Sequence, residues 1–363
     1  MKLKLIVLLI FLMPKDIWSL TYLYSNNTQS NMYSNLKELF NKHTVSFIET
    51  DNINKDDNLY VIFDACNIAA KKLPKHYIVF QTLNIPKIGL TKEYLNILSN
   101  AIAVWDNKWE NIKKYDESVH NHYYFPENYE CAQACLLPCQ LPVNALSTYK
   151  SLLSYSNARN TDISNFLPII FAYTISAKPK NILELGVRSA ESTIAFSKAA
   201  ALIDAKLIGV DLDVNIPENY RALNNASYFS MNDLEFPNFY IWDKQFPKEK
   251  FDIIFIDTSH VYQHTMDEIR AFLPLLSDNG MLMFHDSHMS PLENDLYMRL
   301  NNTYDGSGWN NQKGVNRAIK DSFSIVFDED KYNNFIFKYN KSSWELFHYP
   351  FCNGLTVIKR IIK

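Results

Sequence analysis

Between residues 181 and 286, four apolar runs each end in groups that can hold a cation, a proton or a sugar hydroxyl. "NILELG" ends in Glu184 and Gly186, "IGVDLD" in Asp211 and Asp213, "FDIIFIDTSH" in Asp257, Ser259 and His260, and "GMLMFHD" in His285 and Asp286. One aspartate at a strand end is a common turn former. Four strands that all deliver carboxylates to one edge point to a shared ligand instead. Paired carboxylates suit hard cations, and a neutral imidazole beside them can take a proton from a hydroxyl.

The turn "NILELGVRSAES" has the outline of a nucleotide-binding turn with a single glycine. Gly186 lets the backbone pass close to a ligand, and a helix starting near Ala190 turns its free N–H groups to the same place. A pyrophosphate turn of the form G-x-G-x-x-G needs three glycines, whereas Val187, Arg188, Ser189 and Ala190 follow here. Asp211 closes the next strand, where a carboxylate can accept both hydroxyls of a ribose. A nucleoside without a pyrophosphate suits these parts better than a dinucleotide.

The elements that must position these residues follow from periodicity. "NILELGV", "KLIGVDLD", "FDIIFIDTS" and "GMLMFHD" predict near-continuous apolar strands, and "AESTIAFSKAAALI" and "TMDEIRAFLPLL" predict the helices between them. Such strands form a parallel sheet covered on both faces, and ligands bind beyond its carboxyl ends. In the first half "HTVSFIET", "NLYVIFDA", "KHYIVFQT" and "IAVWD" predict strands, and "TKEYLNILSNA" a helix capped by Thr91. The whole is α/β. The expected divisions are a leader-like segment at 1–19, an accessory domain at 20–130, a proline-bearing connector at 131–160 and the site-bearing domain at 161–363. A further strand is expected at "FSIVFD". The long polar stretch before it, from Ser287 to Asp321 with Trp309, is either a substrate lid or a surface loop.

With 363 residues, 47% apolar and 21% charged, the chain has the composition of a globular protein of two domains. A net charge of -3 gives no footprint for nucleic acid. Five cysteines, three in "CAQACLLPC", match neither zinc pairs nor a redox dithiol and are best explained as plain thiols. "MKLKLIVLLIFLMPKDIWS" fits a secretory signal and a buried first strand equally well, and its apolar run from Leu5 to Met13 is too short to span a bilayer.

"LELGVRSAEST", "IGVDLD", "FDIIFIDTSHVYQHTMDEIRAFLPLLSDNGMLMFHD" and the closing "GLTVIKR" together resemble the class I S-adenosylmethionine-dependent methyltransferases. Within that class they are similar to the branch of cephalosporin-hydroxylase-like proteins and metal-dependent sugar O-methyltransferases. The resemblance spans residues 165 to 360, and its most specific part is the D-x-S-H turn followed one helix later by H-D. Two positions depart from the family pattern, Ala190 and Thr258, both usually glycine. The resemblance implies a Rossmann-like sheet, mostly parallel with an antiparallel last strand, preceded by a smaller Rossmann-like α/β domain.

Residue by residue, the resemblance implies that Glu184, Gly186 and Ser189 border the methionine part of S-adenosyl-L-methionine, that Asp211 takes the ribose and that Asp233 lies near the adenine. Asp257, His285 and Asp286 match the positions of a divalent metal, magnesium or manganese, and His260 the general base acting beside Asp257. Imidazole favours softer metals, so His285 is either a ligand or a residue facing the sheet interior. His260 has the competing role of a helix cap. The first half is similar to a domain of bacterial glycan-modifying proteins related to glycosyltransferases.

These expectations add up to an O-methyltransferase acting on a hydroxyl of a sugar, glycan or small metabolite. The alternative is a non-catalytic glycan-binding or assembly protein built on the same scaffold. The donor is a cytoplasmic metabolite, so a cytoplasmic location is expected, with membrane contact at the N-terminus and a homo-oligomer left open.

Overall fold

The computed structural model describes residues 21–24, 31–42, 47–50, 52–53, 58–63, 65, 68, 72–81, 91–106, 119, 121–124 and 137–159 of the first half, and 161–213, 225–242, 250–289 and 314–361 of the second. The chain divides into two compact units, Met1–Ser154 and Tyr155–Lys363.

The first unit holds strands β1 (Thr21–Tyr24), β2 (Phe47–Thr50), β3 (Leu59–Phe63), β4 (His76–Gln81), β5 (Ala103–Asp106) and β6 (His122–Tyr124). They form one sheet in the order β2-β1-β3-β4-β5-β6 with every pairing parallel. β3 is buried along its whole length, as a central parallel strand covered on both faces must be. Helix α1 (Asn31–Lys42) follows β1, and α2 (Lys92–Asn100) starts at Thr91, whose hydroxyl accepts the Tyr94 N–H. Helix α3 (Val143–Asn157) occupies part of the stretch expected to be a connector.

The second unit begins its regular structure with α4 (Leu167–Ala177), then β7 (Asn181–Leu185), α5 (Glu191–Ile203), β8 (Lys206–Asp211), β9 (Ala226–Ser230) and α6 (Phe236–Trp242). It continues with β10 (Phe251–Ile256), α7 (Tyr262–Phe272), β11 (Leu276–His285), α8 (Gly314–Phe323), β12 (Asn333–Tyr339), β13 (Ser342–Tyr349) and β14 (Leu355–Ile361). The sheet order is β12-β13-β14-β11-β10-β7-β8-β9. β9, β8, β7, β10 and β11 run parallel, and β14 returns antiparallel beside β11. This is the expected mostly parallel sheet with an antiparallel last strand.

The core of this unit packs Leu183, Ile254, Ile256, Leu282 and Phe284 against Ile269, Phe272, Ile319 and Phe323 of the helices. Burying each such side chain contributes about 1.5–3 kcal/mol. The ladder also runs past the strand ends, since Leu185 O accepts the Asp257 N–H at 2.9 Å and Val210 O accepts the Gly186 N–H at 2.9 Å. The strand ends are thereby held beside one another.

One expected strand is absent. "FSIVFD" begins in the last turn of α8, the chain turns at Ser324 (φ 54), and residues 325–328 join no ladder. Ile325 and Phe327 are buried and Val326 is 92% exposed, so the alternation is real but serves packing without backbone pairing. Conversely β1, β6, β9, β12 and β13 arise where no strand was expected. The Leu5–Met13 segment, Cys131 and Cys135, and the lid candidate around Trp309 lie outside the described residues. Cys139 is buried and Cys352 is exposed, both as free thiols. No helix among the described residues is long and apolar enough to cross a membrane.

Candidate active site

The turn after β7 is shaped by three left-handed residues around one close approach. Gly186 (φ 83) passes so near β10 that an added Cβ would stand 1.9 Å from Asp257 O, so only glycine fits. Arg188 (φ 48) and Ala190 (φ 64) are also left-handed, and Ala190 caps α5 with its N–H on Val187 O at 2.8 Å. Ala190 is buried and packs with Val187 against Tyr228. An alanine therefore occupies a backbone conformation that favours glycine, which costs about 1–2 kcal/mol.

Asp211, at the end of β8, accepts the Arg188 N–H on Oδ2 at 2.7 Å and the Asp213 N–H on Oδ1 at 3.2 Å. Each oxygen keeps a lone-pair direction for a hydroxyl, which fits the ribose role. Ser189 is exposed at the head of α5. Glu184, expected to border the cofactor, lies near the end of β7 facing the head of α5. Its carboxyl is fully buried and accepts the Ser192 hydroxyl at 2.5 Å and the Thr193 hydroxyl at 2.8 Å. Burial pushes it up to about 8 against the pull of those two hydroxyls, so it is largely protonated at neutral pH. Glu184 ties the head of α5 to β7.

The ends of β10 and β11 bring Asp257, His260 and Asp286 together, with one ligand atom of each within 4.8 Å of the others. His260 (φ 58) sets Nε2 3.1 Å from Asp286 Oδ2. Asp286 Oδ1 is buried and makes no hydrogen bond among the described residues. His285 Nδ1 lies 3.5 Å from that oxygen, beyond good hydrogen-bond range, and a divalent cation would complete its partners. Asp257 and Asp286 would hold the cation.

His285 is placed differently from the metal-ligand role. Its Nδ1 faces Asp257 Oδ1 at 3.1 Å and its Nε2 faces Asp162 O at 3.3 Å, with the Phe166 ring edge-on at 5.6 Å. Both nitrogens are committed, so neither is free for a metal, and the grouped imidazole is His260 instead. Burial alone would lower His285, but Asp257 and Asp286 outweigh it and hold the imidazole up to about 9. The same pairing acts on Asp257, where burial raises the carboxyl but His285, then His260 and Arg188, bring it below its ordinary value. Burial keeps Asp286 above its ordinary value despite His260 and His285.

Asp233 forms a second group with two residues of α7. Asn232 caps the short turn that carries Asp233, with its Oδ1 accepting the Leu234 N–H at 3.0 Å. Asp233 Oδ2 lies 3.1 Å from His264 Nε2, and Glu268 Oε1 lies 3.8 Å from the same nitrogen. The Thr258 hydroxyl donates to Glu268 Oε1 at 2.7 Å. Glu268 and the roles of Asp162, Ser192 and Thr193 were not singled out from sequence. The i, i+4 spacing of His264 and Glu268 on a helix was a usable signal; a main-chain oxygen at Asp162 leaves none.

The site thus lies at the carboxyl edge of an open α/β sheet with a parallel core and an antiparallel strand beside β11. Residues 183–287, the part that carries these groups, match the family described as a methyltransferase domain. Among solved structures, the chain is similar to the methyltransferase of Podospora anserina bound to SAH, with 15% identity, 66% of this chain and 98% of that one covered, and a TM-score of 0.35. It is also similar to the O-methyltransferase of Bacillus cereus in complex with SAH (14% identity, 59% and 91% covered, TM-score 0.34). A third is an O-methyltransferase of tomaymycin synthesis from Streptomyces achromogenes in complex with SAM (11% identity, 70% and 97% covered, TM-score 0.39). No curated protein matches the chain.

Proposed function

We propose that the protein is an S-adenosylmethionine-dependent O-methyltransferase, acting with a divalent metal on a hydroxyl of a sugar, glycan or small metabolite. The observation that carries this reading is the convergence of Asp257, His260 and Asp286 beside the Gly186 turn, inside the matched methyltransferase domain. S-adenosylmethionine supplies an activated methyl group, and a divalent cation acidifies and orients a bound hydroxyl.

Each residue has a part that its setting supports. Asp211 binds the ribose hydroxyls, and Gly186 admits the donor close to the backbone. Asp257 and Asp286 would hold the cation, Asp286 through an Oδ1 that makes no hydrogen bond among the described residues and lies 3.5 Å from His285 Nδ1. His260, whose Nε2 is braced by Asp286 Oδ2, takes the proton of the acceptor hydroxyl at its other ring nitrogen, Nδ1, as the methyl arrives. His285 holds Asp257 in register from behind. Methyl transfer needs little covalent help, so alignment is the protein's main contribution, with the base adding roughly two to four orders of magnitude. A small-molecule or glycan acceptor, a cytoplasmic setting and a glycan-positioning first unit complete the proposal.

The test is calorimetric titration of S-adenosylmethionine into the intact protein and into Asp211→Ala, with magnesium or manganese present. Micromolar binding that the variant loses is expected. Absence of binding to the intact protein overturns the donor assignment.

A further inference from the structure

The sheet of the second unit ends in a strand whose outer edge is open. β12 stands first in the strand order and pairs only with β13 among the described strands. At 7 residues it is longer than the other edge strands, β2, β6 and β9. Asn340 (φ 47) and Lys341 (φ 65) form the two-residue turn to β13, which closes on the pair Tyr339 and Ser342. Two left-handed residues in such a turn make the closing pair a hydrogen-bonded one, and hydrogen-bonded pairs alternate along an antiparallel ladder. Tyr339, Phe337 and Phe335 therefore direct their backbone groups to β13, whereas Lys338 and Ile336 turn theirs to the open edge.

The side chains of this strand are incompletely covered as well. Phe335, Phe337 and Tyr339 are only partly buried where they pack on the core. Ile336 lies on the other face and is 65% exposed, and Val326, on the connection leading into β12, is 92% exposed. An edge with free backbone groups and apolar side chains on both faces is a template for another strand. Its charges say which strand and which direction. The head of β12 carries Asp328, Glu329 and Asp330 against Lys331, and its tail carries Lys338 and Lys341. An antiparallel copy of the same strand sets each acidic head beside a basic tail, whereas a parallel copy would set like beside like.

We infer that β12 pairs antiparallel with β12 of a second copy of this chain, with Ile336 opposite its own counterpart on a two-fold axis. In this register the two Ile336 residues exchange both of their outward backbone bonds. Phe335 lies opposite the partner's Phe337 on one face, and Lys338 lies opposite the partner's Asn334 instead of another lysine. The arrangement is closed, because each copy uses its open edge once and the pair cannot grow into a fibre through this strand.

The experiment is the mass of the full chain in solution, measured by analytical ultracentrifugation over a concentration series. The intact protein should show twice the chain mass. Ile336→Pro removes only an N–H that faces away from β13, so its fold, checked by circular dichroism, is retained while its mass falls to that of a single chain. Opposed residues of a hydrogen-bonded pair stand about 5.5 Å apart at Cα, within the reach of a disulfide. Ile336→Cys should therefore give a cross-linked dimer with oxidised glutathione that a reductant separates. Leu202→Cys, at an exposed position of α5, and Cys352, exposed in every version, set the background. A single-chain mass for the intact protein, a dimer that survives Ile336→Pro, or cross-linking of Ile336→Cys no greater than that of Leu202→Cys each overturns the pairing. These readouts need no donor, so their failure and a failure to bind S-adenosylmethionine are read separately.

Discussion

His260 Nε2 lies 3.1 Å from Asp286 Oδ2, so the end of β10 and the end of β11 are joined through an imidazole and a carboxylate. A carboxylate in that position orients the ring for proton transfer at its other nitrogen, Nδ1. His260→Ala should therefore lower kcat by about 10²–10⁴ while S-adenosylmethionine affinity stays within a factor of a few. Steady-state kinetics on an accepted substrate, paired with calorimetry, separates the two. A parallel loss of donor binding would instead make His260 part of the donor pocket.

Glu184 links pH to stability. Its carboxyl titrates near 4.5 when unfolded and at about 8 when folded, so between those values the folded state holds a proton that the unfolded state has released. Stability from this group is complete below the unfolded value and is lost as pH rises through about 8, at up to about 1.4 kcal/mol per pH unit. Glu184→Gln should remove that slope. Thermal midpoints from pH 5 to pH 9 would show the intact protein falling relative to the variant, and parallel curves would refute the buried proton.

Gly186→Ala should be severely destabilising. The added methyl meets Asp257 O at 1.9 Å and the backbone is held at φ 83, so both the clash and the conformation oppose it. The loss is expected to be about 3 kcal/mol or more, read as a denaturant midpoint shift at unchanged slope.

Ala190→Gly should act in the opposite direction. Relief of the left-handed strain at φ 64 is worth about 1–2 kcal/mol, and the freer unfolded chain takes back about 0.4–1 kcal/mol. A net gain of about 0.5 kcal/mol is expected in thermal unfolding. A loss would mean that the Ala190 methyl packing against Tyr228 outweighs the strain.

Much of this site is local in origin, and to that extent the sequence alone determined it. Strands β7, β8, β10 and β11 are runs of apolar residues that end where Glu184, Asp211, Asp257 and His285 begin, because a parallel strand buried on both faces tolerates polar side chains only at its exit. The Thr91 cap is equally local, a hydroxyl meeting the N–H three residues on. The tertiary structure decided which partners those side chains meet. Periodicity put Glu184 at the edge, but only the packing of α5 on β7 gave it Ser192 and Thr193 and made it a buried acid. His285 matched a metal position in the sequence, whereas the structure faces its two nitrogens to Asp257 and to a main-chain oxygen of Asp162. Ile325 and Phe327 alternate like a strand, yet a strand also needs a neighbour with free backbone groups, which no sequence pattern specifies. Strand ends follow from hydrophobic patterning along the chain, whereas contacts across the sheet depend on register and packing between segments far apart in sequence.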